Sequence, residues 1–127
     1  MMRIHERTVT NENVHPLRGA TPDQERLRAW VERLAVPRHI FANARNNARV
    51  RDALAWAFER CGLSVQIQGR YQNVVAMPRV ATGHPTVFIA AHYDSVPDCP
   101  GADDNASGLA VMLECARLLT GMATARN

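Results

Sequence analysis

From Val87 to Leu119 the chain reads VFIAAHYDSVPDCPGADDNASGLAVMLECARLL, three parts with three hydropathy patterns. Thr86-Val87-Phe88-Ile89-Ala90-Ala91 is continuously apolar, which predicts a strand covered on both faces in the middle of an α/β sheet. From about Ala106 to Leu119 the chain is apolar nearly all round, with Glu114 and Arg117 as its charged side chains, and this predicts a helix buried on most sides. Between the two, from His92 to Asn105, polar residues concentrate. In open α/β sheets ligands bind beyond the carboxyl ends of the strands, which is where this loop falls.

Upstream, Thr21-Pro22-Asp23-Gln24 predicts a helix start, with Thr21 at the N-cap, Pro22 at the first helical position and Gln24 closing a capping box. Leu27, Val31 and Leu34 mark its apolar face, and Pro37 ends it. Val50, Leu54, Ala57, Phe58 and Cys61 recur at helical spacing, so a second helix is expected over about Asn43 to Cys61, with Gly62 as its stop. Leu63, Val65 and Ile67 then alternate with polar residues, and Asn73 to Met77 supplies a partner strand, so the two predict a hairpin. The elements make an α/β layered architecture without internal repeat or linker. The last helix needs more covering surface than the preceding residues provide, so the chain reads as part of a larger layered fold.

The 127 residues suffice for one domain, and 46% hydrophobic with 21% charged residues is an ordinary globular composition, which excludes disordered and collagen-like classes. No apolar run is long enough to cross a bilayer, and the N-terminus has no apolar block behind a basic one; a cytoplasmic location and no membrane partner are expected. All 15 cations are arginine, eleven of them against seven acids up to Arg60 and four against five acids beyond it. The basic half alternates Arg with Glu and Asp and interleaves no aromatic residues, so it is read as a solvated helix face and no nucleic-acid partner is expected. Cys61, Cys99 and Cys115 are odd in number and widely spaced, which predicts reduced thiols; Cys99 alone falls in the polar loop.

His92 at a strand end, followed two residues later by Asp94, allows the carboxylate to accept one ring N–H while the other nitrogen faces a metal. Asp103 and Asp104 at the head of a helix have two readings, a cap on the first-turn amides or a carboxylate that bridges two metal ions.

Taken together, the apolar strand, HxD with a following Ser, a short Gly/Pro loop and GADDNASG opening a helix resemble the metal-binding core of the co-catalytic zinc aminopeptidases, the group of bacterial aminopeptidases and glutamate carboxypeptidase. The likeness covers about residues 63 to 120, and Asn73-Val74-Val75-Ala76 resembles the strand that precedes the metal strand. It implies a three-layer zinc-peptidase-like fold with a central mixed sheet, present as an incomplete N-terminal portion. His92 is then similar to a terminal zinc ligand, Asp94 to the catalytic-site carboxylate that orients it, and Asp104 to the aspartate bridging two zinc ions, with Asp103 a neighbour. The likeness also implies a cis peptide between Asp104 and Asn105. In that family zinc activates a water that attacks the scissile carbonyl while a glutamate acts as general base.

The base and three further ligands are expected beyond the DDNASG helix and are not found before Asn127. Glu114 cannot replace them, since ten helical residues past Asp104 is about 15 Å along the axis; a pairing with Arg117 is expected instead. His5, His15, His39 and His84 are read as solvated surface residues. Residues 1–127 are accordingly expected to form a single partial peptidase domain, with two N-terminal helices over 21–61 and the sheet and metal loop over 63–127. The expected function is that of an N-terminal fragment of a zinc exopeptidase, inactive alone, whose full-length parent takes peptide substrates. The alternative is a non-catalytic remnant with at most a weak metal site. Self-association through exposed apolar surface is expected of either.

Overall fold

The computed structural model of the protein describes residues 21–79 and 86–124. Helix α1 runs Gln24–Leu34, and its N-cap is Asp23, whose carboxylate accepts from the Glu25 and Arg26 amides at 3.0 and 3.2 Å. This corrects the expectation of Thr21: a carboxylate takes two first-turn donors at once and carries the charge the helix dipole favours. Helix α2 runs Ala44–Arg60 and buries Val50, Leu54, Ala57 and Phe58, the face its periodicity predicts. Gly62, at φ +82°, follows its end and turns the chain into strand β1, Ser64–Gln68. Strand β2, Asn73–Met77, pairs with β1 antiparallel, with Ser64 opposite Met77 and Gln68 opposite Asn73. The hairpin packs on α2.

Residues 86–91 are the main departure. They join no sheet among the described residues; Val87 is 85% and Phe88 86% exposed, where burial on both faces was expected. A central strand needs a neighbour strand on its edge and cover on its faces, and the strands among the described residues, β1 and β2, pair with each other and not with residues 86–91. Their chemistry is that of a buried strand, but its surroundings are not provided here.

Beyond the polar loop the chain makes one wide turn over Ala102–Ser107, closed by an Ala106 amide bond to the Gly101 carbonyl at 3.0 Å, and continues as α3, Gly108–Thr124. Inside the turn Asp104 and Asn105 leave helical dihedrals, and the Asp104–Asn105 peptide is cis, as the family likeness implies. Leu109, Ala110 and Leu113 are buried, whereas Val111 and Leu119 are about half exposed, so α3 is covered on one side and not on most. The core joins Leu34 of α1, the α2 face and Ala106, Leu109 and Leu113. The result is a small α/β unit with helices and a two-stranded antiparallel sheet. None of the three cysteines is disulfide-bonded. No helix of the described residues is long and apolar enough to cross a membrane.

Candidate metal centre

The loop from His92 to Gly101 is shaped by its own backbone needs before any chemistry. Ser95, buried, accepts the Arg38 amide on Oγ at 3.1 Å and donates to the Cys99 carbonyl at 2.8 Å, drawing the loop into a tight turn. The Tyr93 hydroxyl reaches the carbonyls of Tyr71 and Gln72 at 3.1 and 3.2 Å, tying the loop to the hairpin turn. Burial pushes the Tyr93 phenol above its ordinary value, so the hydroxyl remains a donor. Asn43, before α2, accepts the Asp98 amide at 3.3 Å.

Held this way, His92, Asp94 and Asp104 meet at one mouth. The His92 ring has Nδ1 3.3 Å from Asp94 Oδ1 and Nε2 2.8 Å from Asp104 Oδ1. All three residues line an open cleft of about 240 Å³, lined also by His39, Ser95, Val96 and Pro97. The side chains are 53%, 49% and 81% exposed, a setting in which ion pairs add little to fold stability. Asp103 stays outside the constellation, its carbonyl accepting from Ser107 Oγ at 2.7 Å.

Both ring nitrogens of His92 face carboxylate oxygens. A neutral imidazole has one N–H, so one of the two contacts sets a ring lone pair against a carboxylate oxygen, and the tautomer decides which. Two electron pairs facing each other suit a cation between them. An imidazole nitrogen and a carboxylate oxygen are the donor types zinc takes, and on a tetrahedral ion with bonds of about 2 Å they would stand about 3.3 Å apart, a small opening from the 2.8 Å here. The donors fit, in number only two: among the described residues no group of three or more His, Cys, Asp and Glu gathers as a metal cage. Glu114 lies away from the mouth, bonded to Arg117 at 2.6 and 2.9 Å and to the Asp23 amide at 2.9 Å, as expected for Arg117.

The pattern of peptidase family M28 matches residues 73–127, which span β2, the His92 loop and α3. This segment is similar to peptidase family M28. Over 50 residues, 38% of this chain and 11% of the relative, it is 52% identical to Aminopeptidase YwaD of Bacillus subtilis. It is 38% identical over 117 residues, 80% of this chain and 36% of the relative, to the uncharacterized protein YfbL of Escherichia coli. A probable lipoprotein aminopeptidase, LpqL of Mycobacterium tuberculosis, is 44% identical over 45 residues, 35% of this chain and 9% of the relative. The chain thus spans between about a tenth and about a third of the length of these relatives. No solved structure matches it.

Two residues at the M28 loop escaped the sequence reading. His39, taken as a solvated surface residue, lines the cleft; its Nδ1 accepts the Phe41 and Ala42 amides at 3.3 and 3.0 Å, so its proton sits on Nε2 and the ring is a donor, not a ligand. Arg38, counted among the solvated arginines, is fully buried under the loop. The Pro37-Arg38-His39 succession between the helices was the only available signal, an arginine where no helix face exists to solvate it. His5, His15 and His84 lie outside the described residues.

Proposed function

We propose that this chain is the N-terminal, metal-loop portion of a zinc-dependent exopeptidase of the aminopeptidase type, organised as one partial peptidase domain of three layers whose central sheet includes residues 86–91. The observation that carries the reading is the His92 ring set between Asp94 and Asp104, with Nε2 2.8 Å from Asp104 Oδ1. The family match and the naming of two relatives as aminopeptidases support it.

In this reading His92 Nε2 and Asp104 would hold zinc, and Asp94 would fix the His92 tautomer through Nδ1. The chemistry that bound zinc supplies is polarisation of a scissile carbonyl and acidification of a water. This chain's own part is to present one nitrogen and one carboxylate from a rigid loop and to keep the cleft open to a peptide terminus. The described residues offer no positioned general base, since Glu114 is engaged by Arg117 and the Asp23 amide.

Zinc titration of the chain, read by competition with a chromophoric chelator, tests the ligand assignment. His92→Ala and Asp104→Asn are each expected to abolish the site, and Asp94→Asn to weaken it about tenfold. Zinc bound equally by wild type and all three variants would show that other residues take it. With zinc and an aminoacyl chromogenic substrate the chain alone is expected to show no turnover, because absence of the base forfeits about two to four orders of magnitude. Turnover that disappears in His92→Ala would refute that expectation.

A second reading, a non-catalytic remnant of the peptidase fold with at most a weak metal site, is favoured by one observation: only two candidate donors converge among the described residues. Zinc affinity that stays weak when the chain is supplied with the remainder of a relative's domain would favour it.

A further inference from the structure

Arg38 is fully buried, yet its guanidinium is bonded to carbonyl oxygens and to no carboxylate. Nε donates to the Tyr93 carbonyl at 2.8 Å and Nη2 to the Gly101 carbonyl at 2.9 Å. Nη1 donates to Val36 at 3.1 Å and to Pro100. Tyr93 stands between His92 and Asp94, and Gly101 opens the turn that carries Asp104. One planar fork therefore grips both ends of the loop, the end that bears His92 and Asp94 and the end that bears Asp104.

The same residue is seated from below, its carbonyl accepting Asn47 Nδ2 of α2 at 2.9 Å and its amide donating to Ser95 Oγ. A buried cation is costly unless its donors are satisfied and a counter-charge is near. Here carbonyls take the donors; burial lowers the guanidinium below its ordinary value, and the nearby carboxylates of Asp94 and Asp104 oppose that shift. A fold in need only of apolar filling at this point would be served by Met or Leu at less desolvation cost. A five-donor fork instead sets distances between backbone segments, which a lysine, a point charge on a flexible stem, does not.

We infer that Arg38 is a positioning residue for the metal mouth: its guanidinium holds the Tyr93 and Gly101 backbones at one spacing, and that spacing sets the distance between the His92 ring and the Asp104 carboxylate. The inference rests on the zinc-site reading above for its functional meaning, while the clamp itself is a statement about the metal-free loop.

The test compares Arg38→Lys with Leu54→Ala, a core truncation far from the loop, in the full chain. Side-chain 15N shifts of His92 report its contacts without metal, zinc affinity reports the site, and thermal unfolding reports the fold. Arg38→Lys is expected to move the His92 nitrogens toward the averaged values of a free imidazole and to weaken zinc about tenfold or more. Leu54→Ala is expected to lower the unfolding temperature and leave the His92 shifts in place. His92 shifts unmoved by Arg38→Lys, or moved alike by both variants, would overturn the clamp. If Arg38→Lys does not fold, Asn47→Ala, which unseats the Arg38 carbonyl and keeps the guanidinium, decides on the same shifts. If His92 responds to Arg38 but no protein binds zinc, the metal reading fails and the clamp stands.

Discussion

At Gly101 the backbone has φ +55°, and a Cβ placed there would lie 2.4 Å from the Asp104 carbonyl oxygen and 3.2 Å from Arg38 Nη2. The carbonyl of the same residue accepts both Arg38 Nη2 and the Ala106 amide, so Gly101 is where the loop, the buried arginine and the turn into α3 meet. Gly69, at φ +69°, has nothing within 4 Å of its own Cβ position. Both glycines answer a left-handed backbone, but only Gly101 also answers a close approach. Gly69→Ala is expected to cost about 1 kcal/mol, and Gly101→Ala about 1–3 kcal/mol more from the added collision. Urea unfolding of the two variants checks this, and equal losses would mean that the Asp104 carbonyl moves aside freely. The glycine was legible in the GADDNASG run as a motif letter; the atom it makes room for was not.

Among the elements, α1 and α3 are joined by Glu114, which is buried, takes the Asp23 amide and both Arg117 donors, and has Arg26 at 3.6 Å. The Arg117 hydrogen bonds, then the Asp23 amide and the nearby guanidinium charges, hold its carboxyl below the ordinary carboxylate value against the opposing effect of burial. A folded-state value below the unfolded one means the ionised form favours the fold. That contribution is complete above the ordinary carboxylate range and is lost as pH falls through the lowered folded value. Stability of the wild type should therefore decline on acidification more steeply than that of Glu114→Gln, which should be less stable at neutral pH and lose little more below it. Parallel pH profiles of the two proteins in denaturant unfolding would show that Glu114 does not govern the joint. The Glu114–Arg117 pair was legible from i, i+3 spacing, but the Asp23 amide, 91 residues away, was not.

For the molecule as a whole, Val87, Phe88 and Ile89 form an apolar run with 85%, 86% and 52% of their surface in water, and Val111 and Leu119 of α3 are also about half exposed. Such a patch favours association. The chain is expected to sediment as concentration-dependent oligomers, and Phe88→Asp to shift it toward monomer while leaving the zinc titration of the His92 mouth unchanged. A wild-type chain that stays monomeric across concentration would show that residues 86–91 find cover within the chain.

What the sequence determined by itself lies within a few residues of each position. Val50, Leu54, Ala57 and Phe58 face one way because a helix repeats every 3.6 residues, and β1 was legible because Val65 and Ile67 alternate with polar residues at the two-residue repeat of a strand. His92, Asp94 and Asp104 stand out because HxD and DDNASG bracket a loop between an apolar run and a helix. What tertiary structure decided is which side chains meet across long stretches of chain. Arg38 reaches Tyr93, Pro100 and Gly101 from 55, 62 and 63 residues away, and His39 turns from a surface residue into a wall of the cleft. Asp23 displaces Thr21 as the cap at a point where Glu114 also takes the Asp23 amide, and residues 86–91 keep a buried strand's composition without a partner strand among the described residues. Local periodicity records neighbours along the chain; burial, clamping and pairing depend on segments that only folding brings together.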